Sequence, residues 1–171
     1  QIWMNKRRAV IREDLADRLV SDYETLGNET QLLRSKMFRA ALRQLLDPAK
    51  TLKNLRALES EIIAFNDPGM VLDFMMQVVL AQVMSGESKD VESMMAKLDH
   101  ALKVAQSTGV DVTLGFYNLC VFHIGRREFN EALLLSEQIV QGSDEHARHA
   151  RSVMYACLAR IQALAGLNRW E

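Results

Sequence analysis

Ile124-Gly125-Arg126-Arg127-Glu128-Phe129-Asn130 and Ala165-Gly166-Leu167-Asn168-Arg169-Trp170-Glu171 read as one pattern written twice. Each ends a helical stretch on Gly, and each brings an aromatic, Phe129 or Trp170, four residues later to open the next helix. Gly125 and Gly166 are 41 residues apart, and Gly86 precedes Gly125 by 39. A helix pair of that length cannot bury its apolar face alone. A repeat at this period therefore implies pairs stacked on their neighbours.

Working outward from these turns, the remaining punctuation falls at similar intervals. Gly27 with Asn28 ends an amphipathic segment over about 4–25, and a second helix covers 30–46. Asp47-Pro48 stops it and starts the next, because Asp caps a helix and Pro at N1 lacks only an amide that would go unpaired. That helix runs to about residue 65, where Asn66-Asp67-Pro68-Gly69 makes the strongest turn in the chain. Helices over 69–85, 88–107, 111–124, 127–141 and 144–165 complete the set, separated by Gly86, Gly109, Gly125 and Gly142. In the 88–107 segment, Val91, Met94, Met95, Leu98, Leu102 and Ala105 share one face at a 3.6-residue period. The reading is eight helices and no strand, with short loops that make successive helices antiparallel. Composition agrees: 23 Leu, 18 Ala and 9 Met stand against 8 Gly and 2 Pro. That balance excludes an all-β fold and disfavours a Rossmann-type one. At 49% apolar residues the chain can bury a core, which excludes wholesale disorder.

Phe116, Leu119, Cys120, Phe129, Ala132 and Leu133 stand at a familiar spacing. A large residue near the start of one helix is followed by Leu and a small residue, then an aromatic at the turn, then Ala-Leu in the partner helix. On these residues the chain resembles the tetratricopeptide-repeat (TPR) superfamily. The likeness is fullest over 114–141 and lesser over 145–171, where Leu158-Ala159 takes the Leu-small place. It is faint over 69–107, and 29–65 is assigned from helix pairing. Arg127 replaces the usual turn Gly, with Gly125 two residues earlier, and His123 stands where an aromatic is common. The interval of 39–41 exceeds the usual repeat of about 34, so the helices are longer than standard. The resemblance implies an all-α fold of antiparallel hairpins, stacked as a TPR-like right-handed superhelix of about eight helices. It divides one repeat segment, 1–171, into a leading helix at 1–27, hairpins at 28–66, 67–108 and 109–142, and an incomplete hairpin at 143–171. The chain opens on Gln1 and stops at Trp170-Glu171, and we expect it to be a fragment of a larger protein.

Leu98-Asp99-His100-Ala101-Leu102-Lys103-Val104-Ala105, the Gly109 turn and the helix holding Asn118-Leu119 are also similar to TPR-containing input regions of bacterial signalling proteins. Such regions precede diguanylate cyclase domains and occur in LuxR-type transcription regulators. This likeness implies a regulatory module whose output domain lies outside the chain.

Charge and chemistry-bearing residues narrow the role. Lys and Arg (21) nearly cancel Asp and Glu (22), whereas a general nucleic-acid binder needs excess cations to displace counterions. The run Lys6-Arg7-Arg8 is followed by Arg12, with Glu13, Asp14 and Asp17 within the same helical turns, and reads as a solvated helix face. Cys120 and Cys157 are too few for a disulfide framework and lie in apolar helical context, so both are expected to be buried thiols. That favours the cytoplasm and leaves the periplasm open. Met70–Met84 carries Asp73, Gln77 and Gln82, and at about 15 residues falls short of the roughly 20 a membrane span needs. It reads as a core helix.

Glu131-Ala132-Leu133 spells a phosphodiesterase motif without the strands that motif requires. His146 and His149, at i and i+3, supply at most two of the three or four ligands of a zinc site. His100 and His123 read as boundary residues with one hydrogen-bonded nitrogen. The methionines at 70, 75, 76, 84, 94 and 95 read as soft core rather than an adaptable binding surface. Phe65 and Phe74 flank the Asn66–Gly69 turn and are expected to staple its helices. No phosphate loop or nucleophile motif is present, so neither an enzyme nor a cofactor is expected.

In TPR arrays the concave groove, lined by the first helix of each pair, usually does the binding. By that register Leu114, Tyr117, Asn118 and Val121 point into the groove, with Arg151 and Arg160 from the last helix placed to meet acidic groups. The expected function is a non-catalytic protein- or peptide-interaction module that serves as a regulatory input or scaffold. Alternatives are a self-association or spacer module, dimerising through the terminal hairpin near Trp170, and a small-molecule sensor.

Overall fold

Three side-chain caps carry out what the punctuation dictates. In a computed structural model, the backbone is described for 2–44, 46–86, 91–141 and 150–168, and the side chains for 13–44, 46–86, 92–139 and 154–168. Asn28 Oδ1 accepts from the Gln31 amide (3.1 Å), Asp47 Oδ1 from Lys50 (3.0 Å) and Asp67 Oδ1 from Met70 (2.7 Å). Each satisfies an amide that the first helical turn leaves unpaired. Pro48 and Pro68 occupy the first helical positions after the two Asp caps. The chain is all-helical, with nine helices and no strand among the described residues.

The helices are α1 (Ile2–Thr25), α2 (Glu29–Ala41), α3 (Pro48–Arg56), α4 (Glu59–Phe65), α5 (Pro68–Ser85), α6 (Val91–Ser107), α7 (Thr113–Gly125), α8 (Phe129–Gln141) and α9 (Ala150–Gly166). The expected single helix over 48–65 is two helices. At Leu58 the amide bonds to Leu55 O (2.8 Å), an i→i−3 bond, and the regular ladder breaks there. No Gly or Pro marks that break in the sequence.

Two compact units, Gln1–Ala101 and Leu102–Glu171, divide the chain within α6. In the first, α1 packs on α2, and α3 and α4 pack on α5, with α2 touching α3 and α5. Its core is Leu33, Leu52, Leu55, Ile62, Met70 and Phe74, all at most 2% exposed. Each contributes about 1.5–3 kcal/mol by leaving water. Of the stapling aromatics, Phe74 is in this core and Phe65 is half-buried. Met70 and Met75 are buried, whereas Met84 is exposed. Among the described residues α5 alone has the length and apolar composition to cross a membrane. Its buried side chains belong to this core.

In the second unit α7, α8 and α9 each pack on the other two. Small residues allow the close approach: Cys120, Ala132, Ala159 and Ala163 are fully buried. Cys120 Sγ reaches Ala132 O at 3.4 Å, at the junction of α7 and α8 where the small residue was expected.

The duplicated text produces a duplicated turn. The Arg126 amide bonds to Phe122 O (3.2 Å) and that of Arg127 to Ile124 O (3.0 Å). Leu167 bonds to Ala163 O (3.0 Å) and Asn168 to Ala165 O (3.1 Å). All four positions are related by the 41-residue interval. In both turns the left-handed residue is the second after Gly: Arg127 at φ 63° and Asn168 at φ 58°. Gly86 departs from this pattern, being itself left-handed at φ 73°. The 39-residue interval is therefore a spacing of glycines and not of equivalent turns.

Candidate functional site

The α7 sequence separates cleanly into two faces. Gly115, Phe116, Leu119 and Cys120 are buried. Leu114, Asn118 and Val121 stand exposed on the opposite side, at i, i+4 and i+7, with Tyr117 half-buried beside them. Tyr117 stacks on Tyr155 of α9, ring centroids 4.7 Å apart, and so ties the two helices together. Tyr155 carries no motif, and its role follows only from the packing of α9 on α7. On α9, Met154, Leu158 and Ile161 form an exposed apolar stripe at the same i, i+4, i+7 spacing.

The groove candidates thus separate. Tyr117, Asn118 and Val121 share one face of α7. Arg160 is exposed on α9 but lies five residues after Tyr155, about 140° around the helix, and does not share the stacked face. The side chain of Arg151 lies outside the described residues. Leu158, placed by resemblance in the packed Leu position, is 40% exposed, while Ala159 beside it is fully buried. The cause is the packing of α9 through alanines: Ala156, Ala159 and Ala163 take the inner face, and Leu158 is turned outward.

The α7–α8 turn holds a polar cluster. Glu128 joins His123 Nδ1 (2.8 Å) and Arg126 Nε (2.8 Å), and these two partners hold its carboxyl below the ordinary glutamate range. Arg126 also lies over the Phe122 ring, 5.6 Å from its centroid. This accounts for the boundary position of His123. His100 is exposed, and His146 and His149 lie outside the described residues.

Cys120 is not an activated nucleophile. Burial pushes the Cys120 thiol up to about 12, which leaves it protonated and inert. Cys157, expected to be buried, is exposed, because the alanine stripe rather than the cysteine faces the neighbouring helices. No group of three or more His, Cys, Asp or Glu that could hold a metal occurs among the described residues.

A second site, unmarked by any motif, lies in the first unit. Of the charged face expected on α1, the side chains of Lys6, Arg7, Arg8 and Arg12 lie outside the described residues, while Glu13 and Asp17 are paired. Glu13 pairs in bidentate fashion with Arg43, and Asp17 with Arg39 of α2 (2.7 Å). Arg43 holds the Glu13 carboxyl below its ordinary range. These pairs edge a cleft of about 600 Å³ between α1, α2 and α3. The sequence did carry a signal for the pairing. Glu13 and Arg43 are each 15 residues from Asn28, and Asp17 and Arg39 each 11, as two antiparallel helices folded about that turn require.

The fold and these surfaces define an all-helical protein built from packed helix hairpins, with a repeated turn in its second unit. No protein-family model, curated protein or solved structure matches the chain.

Proposed function

We propose that this chain is a non-catalytic TPR-like module that binds a protein or peptide along the α7–α9 surface. Its role is a regulatory input or scaffold region of a larger bacterial signalling protein. The observation that supports this is the Tyr117–Tyr155 stack. It ties α7 to α9, and Leu114, Asn118 and Val121 are exposed beside it. Exposed apolar side chains next to an amide that can pair with peptide backbone are suited to an extended ligand.

Tyr117 is unsuited to a binding test, since its removal also breaks the stack. Asn118→Ala and Val121→Asp are the informative variants. Peptides selected from a random display library for binding the wild type should bind the double variant at least tenfold more weakly. Leu134→Ser, on the exposed side of α8, should bind them like wild type. Equal binding by the double variant would remove the groove assignment.

A second reading is self-association through the terminal hairpin: Trp170 lies outside the described residues, and the exposed Met154, Leu158 and Ile161 stripe of α9 supports it. Light scattering distinguishes it: a mass that rises with concentration supports it, and a constant monomer excludes it.

A further inference from the structure

The cleft of the first unit combines three features that its ion pairs alone do not require. Its lining carries four cations, Lys36, Arg39, Arg43 and Lys50, against two carboxylates, Glu13 and Asp17. Three of the cations are already engaged, Lys36 with Glu61 (2.6 Å), Arg39 with Asp17 and Arg43 with Glu13. Lys50 is exposed and makes no ion pair among the described residues. The lining therefore holds a surplus of positive charge. The same lining includes the apolar side chains of Val20, Ala40 and Leu58.

The third feature is Thr51. It lines the cleft, is 1% exposed, and its Oγ1 has no hydrogen-bond partner among the described residues. A buried hydroxyl without a partner is destabilising, and native structures rarely keep one without a use. A volume of about 600 Å³ lies within the range of small-molecule sites.

We propose that this cleft binds a small organic anion, a carboxylate or phosphate monoester with a short apolar body. Lys50 meets the anionic head, the Thr51 hydroxyl donates to it, and the body lies on Val20, Ala40 and Leu58. Arg43 is the second cation available to the head, held by Glu13, which competes with the ligand. The site lies wholly in the first unit and is independent of the α7–α9 surface.

The test titrates hexanoate, hexyl phosphate, inorganic phosphate and hexylammonium into the full 171-residue chain, by calorimetry and thermal shift. Hexanoate or hexyl phosphate should bind and raise the melting temperature. Inorganic phosphate should bind at least tenfold more weakly than hexyl phosphate, and hexylammonium not at all. Lys50→Glu should weaken the organic anion at least tenfold and Thr51→Val about threefold or more. Glu13→Gln, by freeing Arg43, should tighten it severalfold. Circular dichroism of the unliganded variants confirms the fold, since Lys50 is at the surface and Thr51→Val removes only a hydroxyl. The proposal is overturned if no organic anion binds wild type, if hexylammonium or inorganic phosphate binds as well, or if Lys50→Glu binds like wild type.

Discussion

The turn after α7 and the turn after α9 share two hydrogen bonds and the same left-handed position, yet they use their glycines differently. A Cβ on Gly125 would meet nothing within 4 Å. A Cβ on Gly166 would collide with the ring of Phe129, the aromatic that opens α8. Neither glycine is left-handed, so backbone freedom explains neither. Gly166 is fixed by the close approach of an aromatic from another helix, and Gly125 sits in open space. Similar text therefore encodes a similar turn, while the reason for a given residue is set by what packs on it.

Substitution at the two glycines should break this equivalence most sharply. Gly166→Ala should cost about 1–3 kcal/mol, as overpacking does, because the Phe129 ring must leave its place. Urea denaturation measures it. Combining it with Phe129→Leu should recover part of the loss, since residues in contact couple. Gly125→Ala should instead stabilise by about 0.4–1 kcal/mol, because the native backbone there suits any residue and the unfolded chain loses freedom. A loss at Gly125 equal to that at Gly166 would refute the distinction.

The left-handed positions sharpen the comparison at smaller scale. Arg127→Gly should stabilise by about 1 kcal/mol, since a side chain with Cβ is strained at φ 63°. Asn168→Gly should gain less, because Asn tolerates that conformation and is a common helix terminator. Thermal melts of the two variants measured side by side give the order.

The smallest effect concerns Glu128, whose turn alone is held by His123 and Arg126 among the described residues. Its carboxyl is held down by those partners in the folded chain. Its contribution is therefore fully present above the unfolded glutamate range and is lost as pH falls through the lower folded value. Glu128→Gln should lower the melting temperature slightly at neutral pH. The difference from wild type should vanish in acid, and a difference that grows in acid would reverse the assignment.

Several features were legible without coordinates because they depend on neighbours along the chain. The Asp-Pro caps, the helical class and the two matching turns follow from backbone hydrogen bonding within a few residues. The α1–α2 ion pairs were also legible in principle, since their symmetry about Asn28 is a sequence property. The break at Leu58 was not, because no residue there disfavours helix. Leu158 and Cys157 were misplaced for a related reason. A helical period states that one face is buried, but α9 offers both an alanine face and a larger apolar one, and only contact with α7 and α8 selects the alanines.

What the sequence by itself determined is therefore local: where capped helices begin, which turns repeat, and that no strand is needed. Tertiary structure alone decided that Gly166 must lack a side chain, that Tyr117 meets Tyr155, and that Thr51 lines a cationic cleft with its buried hydroxyl unpartnered among the described residues. Each of these depends on atoms distant in sequence coming within van der Waals or hydrogen-bond range. Caps and periodicity act over a single turn of helix and cannot encode that approach.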